Sequence, residues 1–158
     1  MKKERCCFCL VFFGFQLQTK TSICGANSPA GTKLYRVCND GDRAFTGGYW
    51  TRTKPNNLDE VIGGTAVQPE WNSFNNVVEY TVPNGQKIWV WEGNAASQKL
   101  SNNLNLFNPH LAGGGEQILI PLKYRRVKKP DGTFDFGGIE QSFLDNIVPL
   151  PNSQIPWK

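Results

Sequence analysis

Breaks govern this chain: sixteen glycines, ten prolines and a scatter of asparagines interrupt it about every ten residues. No apolar stretch holds a period of about 3.6 residues long enough for an extended helix. The segments between breaks are of strand length, which predicts an α+β, β-rich fold with one or two short helices. A length of 158 residues with 39% hydrophobic and 12% aromatic content suits one core.

Residues 33–38 alternate as a strand and end at Asn39-Asp40-Gly41-Asp42. A second strand runs over 47–53 and stops at Pro55. Asn57 is placed to cap a short helix, with Glu60 three residues on, Leu58, Val61 and Ile62 as its apolar side and Gly63-Gly64 closing it. Residues 77–82 and 86–91 flank Pro83-Asn84-Gly85, whose Asn-Gly pair predicts a β-hairpin, with Trp89 or Trp91 packed inside. Beyond it a helical turn is expected over 95–100, and an asparagine-rich loop over 101–111. A strand over 117–124 is joined by Pro130-Asp131-Gly132 to residues 133–136 as a second hairpin, and a weak helix spans 139–146.

The first thirty or so residues differ in character from the rest. Lys2, Lys3 and Arg5 precede an apolar run over 6–15, and the small residues Cys24-Gly25-Ala26 follow. The segment reads either as a signal peptide cleaved near Ala26 or as a fragmentary leader. Its apolar run is too short to span a bilayer, so no stable membrane anchor is expected. Residues 1–31 are therefore assigned to the leader and 32–158 to the functional domain, and a cleaved signal peptide implies secretion.

Several chemistries lack their parts. His110 is the only histidine, and four of the five cysteines fall within the first 24 residues, so neither a multi-histidine metal site nor a disulfide framework is expected. There is no P-loop and no dinucleotide-binding fingerprint beside a helix. The net charge of +4 is modest, and the cluster Lys123, Arg125, Arg126, Lys128, Lys129 reads as a solvated face rather than a nucleic-acid surface.

What remains points to one segment. Gly113-Gly114-Gly115-Glu116-Gln117-Ile118-Leu119-Ile120-Pro121 sets a glycine bend and a polar pair against an apolar strand. Glycines allow close backbone approach to a ligand, and the strand anchors the polar pair; the plainer alternative is a glycine bulge leading into a strand. Glu116 with Asp59 or Glu79 offers a carboxylate couple, although surface carboxylates are commoner. Arg36 or Arg43 supplies forked donors for a pyrophosphate, and Phe45, Tyr49, Trp50 or Trp91 supplies flat surfaces for rings. Such a set fits a dinucleotide.

Three segments occur in an order that resembles the tuberculosis-necrotizing-toxin family of NAD glycohydrolases. They are Asp42-Arg43-Ala44-Phe45-Thr46-Gly47-Gly48-Tyr49 followed by Pro55, then Val90-Trp91-Glu92-Gly93-Asn94-Ala95-Ala96-Ser97-Gln98, then Gly113-Gly114-Gly115-Glu116-Gln117. A second arginine of that pattern has no counterpart here, where residues 64–69 stand. The resemblance implies a compact, split β-sandwich core like that of ADP-ribosyltransferase toxins. It also implies cleavage of the nicotinamide–ribose bond of NAD or NADP as substrate, with no further cofactor and no metal.

Carried over by position, the resemblance makes Gln117 the catalytic amide and Arg43 a binding arginine, with Tyr49 near the nicotinamide end. Glu116 is expected to orient the attacking water, Arg36 to serve as a second cation, and Trp50, Phe45, Gly114 and Gly115 to line the dinucleotide. A toxin of this kind further implies delivery to target cells and a cognate immunity protein. The chain is also similar to ADP-ribosyltransferases proper: Leu34-Tyr35-Arg36-Val37 resembles their first-strand arginine motif. Gln117 stands where their catalytic glutamate begins a strand, and a neutral amide can hydrogen-bond but takes no proton at ordinary pH, which favours water as acceptor. Mono-ADP-ribosyl transfer and a non-enzymatic secreted binding domain are the alternatives.

Overall fold

The computed structural model describes residues 24–39, 47–69, 72–99, 110–121, 124–132, 134–139 and 141–150. They form a β-rich α+β fold of antiparallel sheets with short helical pieces. The strands are β1 (Cys24–Pro29), β2 (Lys33–Cys38), β3 (Tyr49–Trp50), β4 (Asn76–Thr81), β5 (Lys87–Asn94), β6 (Gln98–Lys99), β7 (His110–Leu111), β8 (Glu116–Leu119), β9 (Tyr124–Lys128), β10 (Phe134–Ile139) and β11 (Ile147–Pro149). One sheet has the order β1-β5-β8-β3 and a second β11-β4-β2, while β9-β10 and β6-β7 are two-stranded ribbons.

Alternation places the core between the two larger sheets. Leu34, Val78 and Tyr80 of one sheet meet Trp50, Val90 and Ile118 of the other, all nearly or fully buried. Phe143 of the single-turn helix α1 (Gln141–Leu144) stacks on Tyr80 at 4.5 Å between ring centroids and lies edge-on to Trp50. A smaller cluster of Val37, Val61, Phe74 and Val77 fills the far face of the second sheet.

Between Pro55 and β4 the expected helix appears as a short helical piece whose last turn, Glu60–Gly64, is π-helical. Its start is built as the sequence predicts. The Glu60 amide donates to Asn57 Oδ1 at 2.8 Å, and the Asn56 amide donates back to Glu60 Oε2 at 2.9 Å, so exposed N–H groups at the helix start are satisfied by side chains. The turn at Pro130-Asp131-Gly132 also forms a hairpin, with Phe134 opposite Lys128, but its first strand is β9 and not the one expected over 117–124, which ends at Leu119 as β8 and pairs with β3 and β5.

Four further expectations are corrected. The Asn-Gly turn forms, with Gly85 at φ 74° and the Gln86 amide donating to Pro83 O at 3.1 Å, but β4 and β5 do not pair. A strand has two edges, and both edges of each are occupied: β4 lies between β2 and β11, and β5 between β1 and β8. The turn instead carries the chain from one sheet to the other, with Val82 and Val90 both in the shared core.

Second, the strand content expected from residue 33 onward extends further toward the N-terminus. Cys24–Pro29 form β1 and pair with β5 along six positions. Third, the turn expected over 95–100 is the strand β6, paired with β7. Fourth, neither tryptophan of β5 is fully buried: Trp91 is partly buried, and Trp89, about half exposed, packs over Gly25, where a β-carbon would overlap its ring, and meets Trp91 edge-on at 6.0 Å. The apolar run over 6–15 lies outside the described residues, among which no helix is long and apolar enough to cross a membrane.

Candidate functional site

The two sheets part where β2 approaches β3. Beyond β3 the chain makes a single bridge to the second sheet: Tyr35 N donates to Thr51 O at 2.7 Å and Thr51 N to Tyr35 O at 2.8 Å. Around this seam opens a cavity of about 380 Å³. Its lining includes Arg36, Tyr49, Thr51, Asn72, Gln98 and Gln117. Arg36 is the sole charged residue among the described lining residues, and no carboxylate is among them.

Each lining residue is held by its own local chemistry. Arg36 lies on the same face of β2 as Leu34, and its guanidinium rests against the Gly47 backbone, where any β-carbon would overlap it. Asn72 is spent on the fold: its Nδ2 donates to Val37 O and its Oδ1 accepts from the Phe74 amide, each at 2.9 Å. Ala66, buried, holds a left-handed φ of 54°, a conformation that costs a non-glycine residue roughly 1–3 kcal/mol. Tyr49 is half exposed, and the burial of the rest holds its hydroxyl above the usual phenol range, so it stays protonated. Gln117 starts the polar end of β8 opposite Gly93, and its amide makes no hydrogen bond among the described residues.

The structure thus gathers Arg36, Tyr49 and Gln117 at one cavity, and separates others from it. Arg43 and Phe45 lie outside the described residues. Trp50 touches the cavity wall, but its ring is 1% exposed, tilted against Tyr80 at 6.1 Å, and its indole Nε1 donates to Gly47 O at 3.1 Å. It is a core residue and offers no face for stacking a ligand ring.

Gly114 and Gly115 are also corrected. Their amides are committed: Gly113 N donates to Gly63 O, Gly114 N to Ala95 O and Gly115 N to Gly64 O, at 2.7 to 2.8 Å. The glycine run is a backbone zipper to the helical turn and to the Ala95 corner, and it has no donor left for a phosphate.

Glu116 is placed apart from the cavity. Arg52 Nη1 donates to its Oε1 at 2.7 Å, the Arg52 amide to its Oε2 at 3.0 Å, and Arg52 Nη2 to Glu92 Oε2 at 2.6 Å. Each oxygen accepts one bond from Arg52, and Glu116 is not among the described lining residues of the cavity. Partial burial pulls the Arg52 pKa down, but hydrogen bonds and charge from Glu116 and Glu92 outweigh it and hold the guanidinium above its ordinary value.

Glu79 is engaged elsewhere too, 2.8 Å from Lys33 Nζ. Burial raises its pKa, while hydrogen bonds from Lys33, Tyr35 and Thr81 and the Lys33 charge bring it below the usual carboxylate range. Neither Glu79 nor Asp59 lines the cavity, and the glycosidase-type couple does not form there.

Among the described residues no group of three or more His, Cys, Asp or Glu comes together to hold a metal ion. Of the basic cluster, the side chains of 123–128 lie outside the described residues. Residue-by-residue reading missed Arg52 and the structural role of Asn72. Arg52 carries no local signal, since its carboxylate partners are 40 and 64 residues away in sequence.

No family model matches the chain, and no curated protein matches it. Among solved structures, the chain is similar to one described as "Structure of Tne2 in complex with Tni2", at 14% identity over 84% of this chain and 95% of that one, with a TM-score of 0.49.

Proposed function

We propose that this chain is a toxin-type glycohydrolase of NAD or NADP that cleaves the nicotinamide–ribose bond, releasing nicotinamide and ADP-ribose. One observation supports it above the rest: a single cavity joins a guanidinium, a half-exposed tyrosine and an unengaged amide, with no carboxylate in its described lining. Ordinary glycoside hydrolysis needs a carboxyl acid and a carboxylate flanking the bond. Nicotinamide leaves as a neutral molecule, so no acid is required, and the barrier lies in the oxocarbenium character of the ribose. Orientation and charge placement are sufficient for such a step.

In this reading Arg36 and Arg43 meet the pyrophosphate, and the protonated Tyr49 flanks the nicotinamide ribose. Gln117 hydrogen-bonds the ribose hydroxyls or the attacking water as positive charge develops. Transfer to a macromolecular acceptor is disfavoured because the nearest carboxylate in sequence, Glu116, is bound on both oxygens by Arg52. The reading brings with it delivery to target cells and an immunity protein that protects the producer from losing its own dinucleotide.

Purified full-length chain mixed with NAD, and separately with NADP, is expected to release free nicotinamide. Label transferred from NAD onto lysate protein or nucleic acid instead would establish the transferase reading, and absence of both products would leave a binding domain. A Gly47→Ala chain is expected to raise KM by about tenfold through displacement of the Arg36 guanidinium, which a β-carbon there would overlap. Steady-state kinetics with a melting curve check it; an unchanged KM removes Arg36 from substrate binding.

A further inference from the structure

The Arg52 cluster has no role in the chemistry above, yet it is the densest charged arrangement described. Arg52 follows the bridge at Thr51, where the chain leaves one sheet for the other. Its guanidinium reaches Glu92 on β5 and Glu116 on β8, and its own amide also bonds Glu116, so one residue ties together the exit of β3 and two neighbouring strands. Glu116 immediately precedes Gln117, and Ile118, which follows it, is completely buried. Ahead of them the amides of Gly113, Gly114 and Gly115 are tied to Gly63, Ala95 and Gly64, so the backbone on that side is held, and the side-chain tie at the first residue of β8 is the one Arg52 supplies.

We infer that Arg52 is the positioning residue of the cavity: by clamping Glu116 to Glu92 it fixes the start of β8 and so the aim of the Gln117 amide. This rests on the glycohydrolase reading of Gln117. A transition-state hydrogen bond is lost by small misplacement, so the clamp acts on turnover more than on substrate affinity. Arginine suits the task because its planar fork serves two carboxylates at once, while a lysine ammonium acts as a point charge. Without the guanidinium, the carboxylates of Glu92, opposite Ile118, and Glu116, opposite Asn94, are left as un-neutralised like charges at diagonal positions of the paired strands, next to the residue that carries the amide.

The test uses the full chain and NAD turnover. Arg52→Met is expected to lower kcat by about tenfold or more with KM within about threefold of the parent. Glu116→Gln, whose amide oxygen still accepts from Arg52, is expected to cost no more than about threefold in kcat. Adding Glu116→Gln to Arg52→Met removes one of the two un-neutralised charges and is expected to recover part of the lost turnover.

Should Arg52→Met not fold, Arg52→Lys replaces it, with kcat between that of the parent and about a tenth of it. Parent-like kcat in the arginine variants overturns the clamp, as does an effect on KM alone. A Glu116→Gln loss as deep as that of Arg52→Met overturns it too, because Glu116 then takes part in the chemistry. A parent that releases no nicotinamide overturns the glycohydrolase reading and this inference with it, whereas an active parent with an indifferent Arg52 overturns only the clamp.

Discussion

Gln117→Ala is expected to lower kcat for nicotinamide release by about 100-fold or more, with little change in KM and none in melting temperature. The size follows from where the contact acts. A donor or acceptor that meets the substrate only as the ribose gains positive charge contributes to the transition state and not to the ground state. The absence of a stability cost follows from the structure: the amide makes no hydrogen bond among the described residues, so truncating it orphans no buried partner. Backbone pairing of Gln117 with Gly93 and the burial of Ile118 are both retained. Parent-rate hydrolysis by this variant would remove the mechanism, and a rise in KM at constant kcat would make Gln117 a binding residue.

The largest effect on stability is expected at Gly113. A β-carbon there would stand 2.6 Å from Ala95 O and from Ala96 C, and the residue holds φ 69°. Both penalties fall on backbone atoms that cannot step aside without breaking the zipper to Gly63, Gly64 and Ala95. Gly113→Ala is therefore expected to destabilise the fold by about 3 kcal/mol or more, combining left-handed strain with overpacking. Gly114→Ala provides the control. Its φ is 88°, but a β-carbon there meets nothing within 4 Å, so only the strain of about 1–2 kcal/mol applies. Chemical denaturation of both variants measures the difference; equal losses would mean that packing against the Ala95 corner contributes nothing.

Features written over a few consecutive residues could be read directly. The Asn57 and Glu60 cap, the reversal at Asn84-Gly85, the hairpin at Pro130-Asp131-Gly132 and the β-rich class each depend on local backbone preference or on short-range alternation. At the site, the same local reading named Arg36, Tyr49 and Gln117, three residues that the folded chain brings to one cavity. The strand at Cys24–Pro29 is not legible, because its composition is that of a processing site while its pairing is specified by β5, some sixty residues away.

Alternation along 49–50 and 87–94 tells which side chains share a face, but not which face is covered. Trp50 is therefore core and Trp89 half exposed for reasons neither segment contains. Glu116 looked catalytic beside Gln117 and is instead held by Arg52, and the glycines before it looked like a ligand cradle and are instead a seam. Local dihedral preferences and period-two patterning are properties of a short stretch and are present in the unfolded chain. Partner choice between strands, and the engagement of a charge or an amide, exists only once distant segments have been brought together.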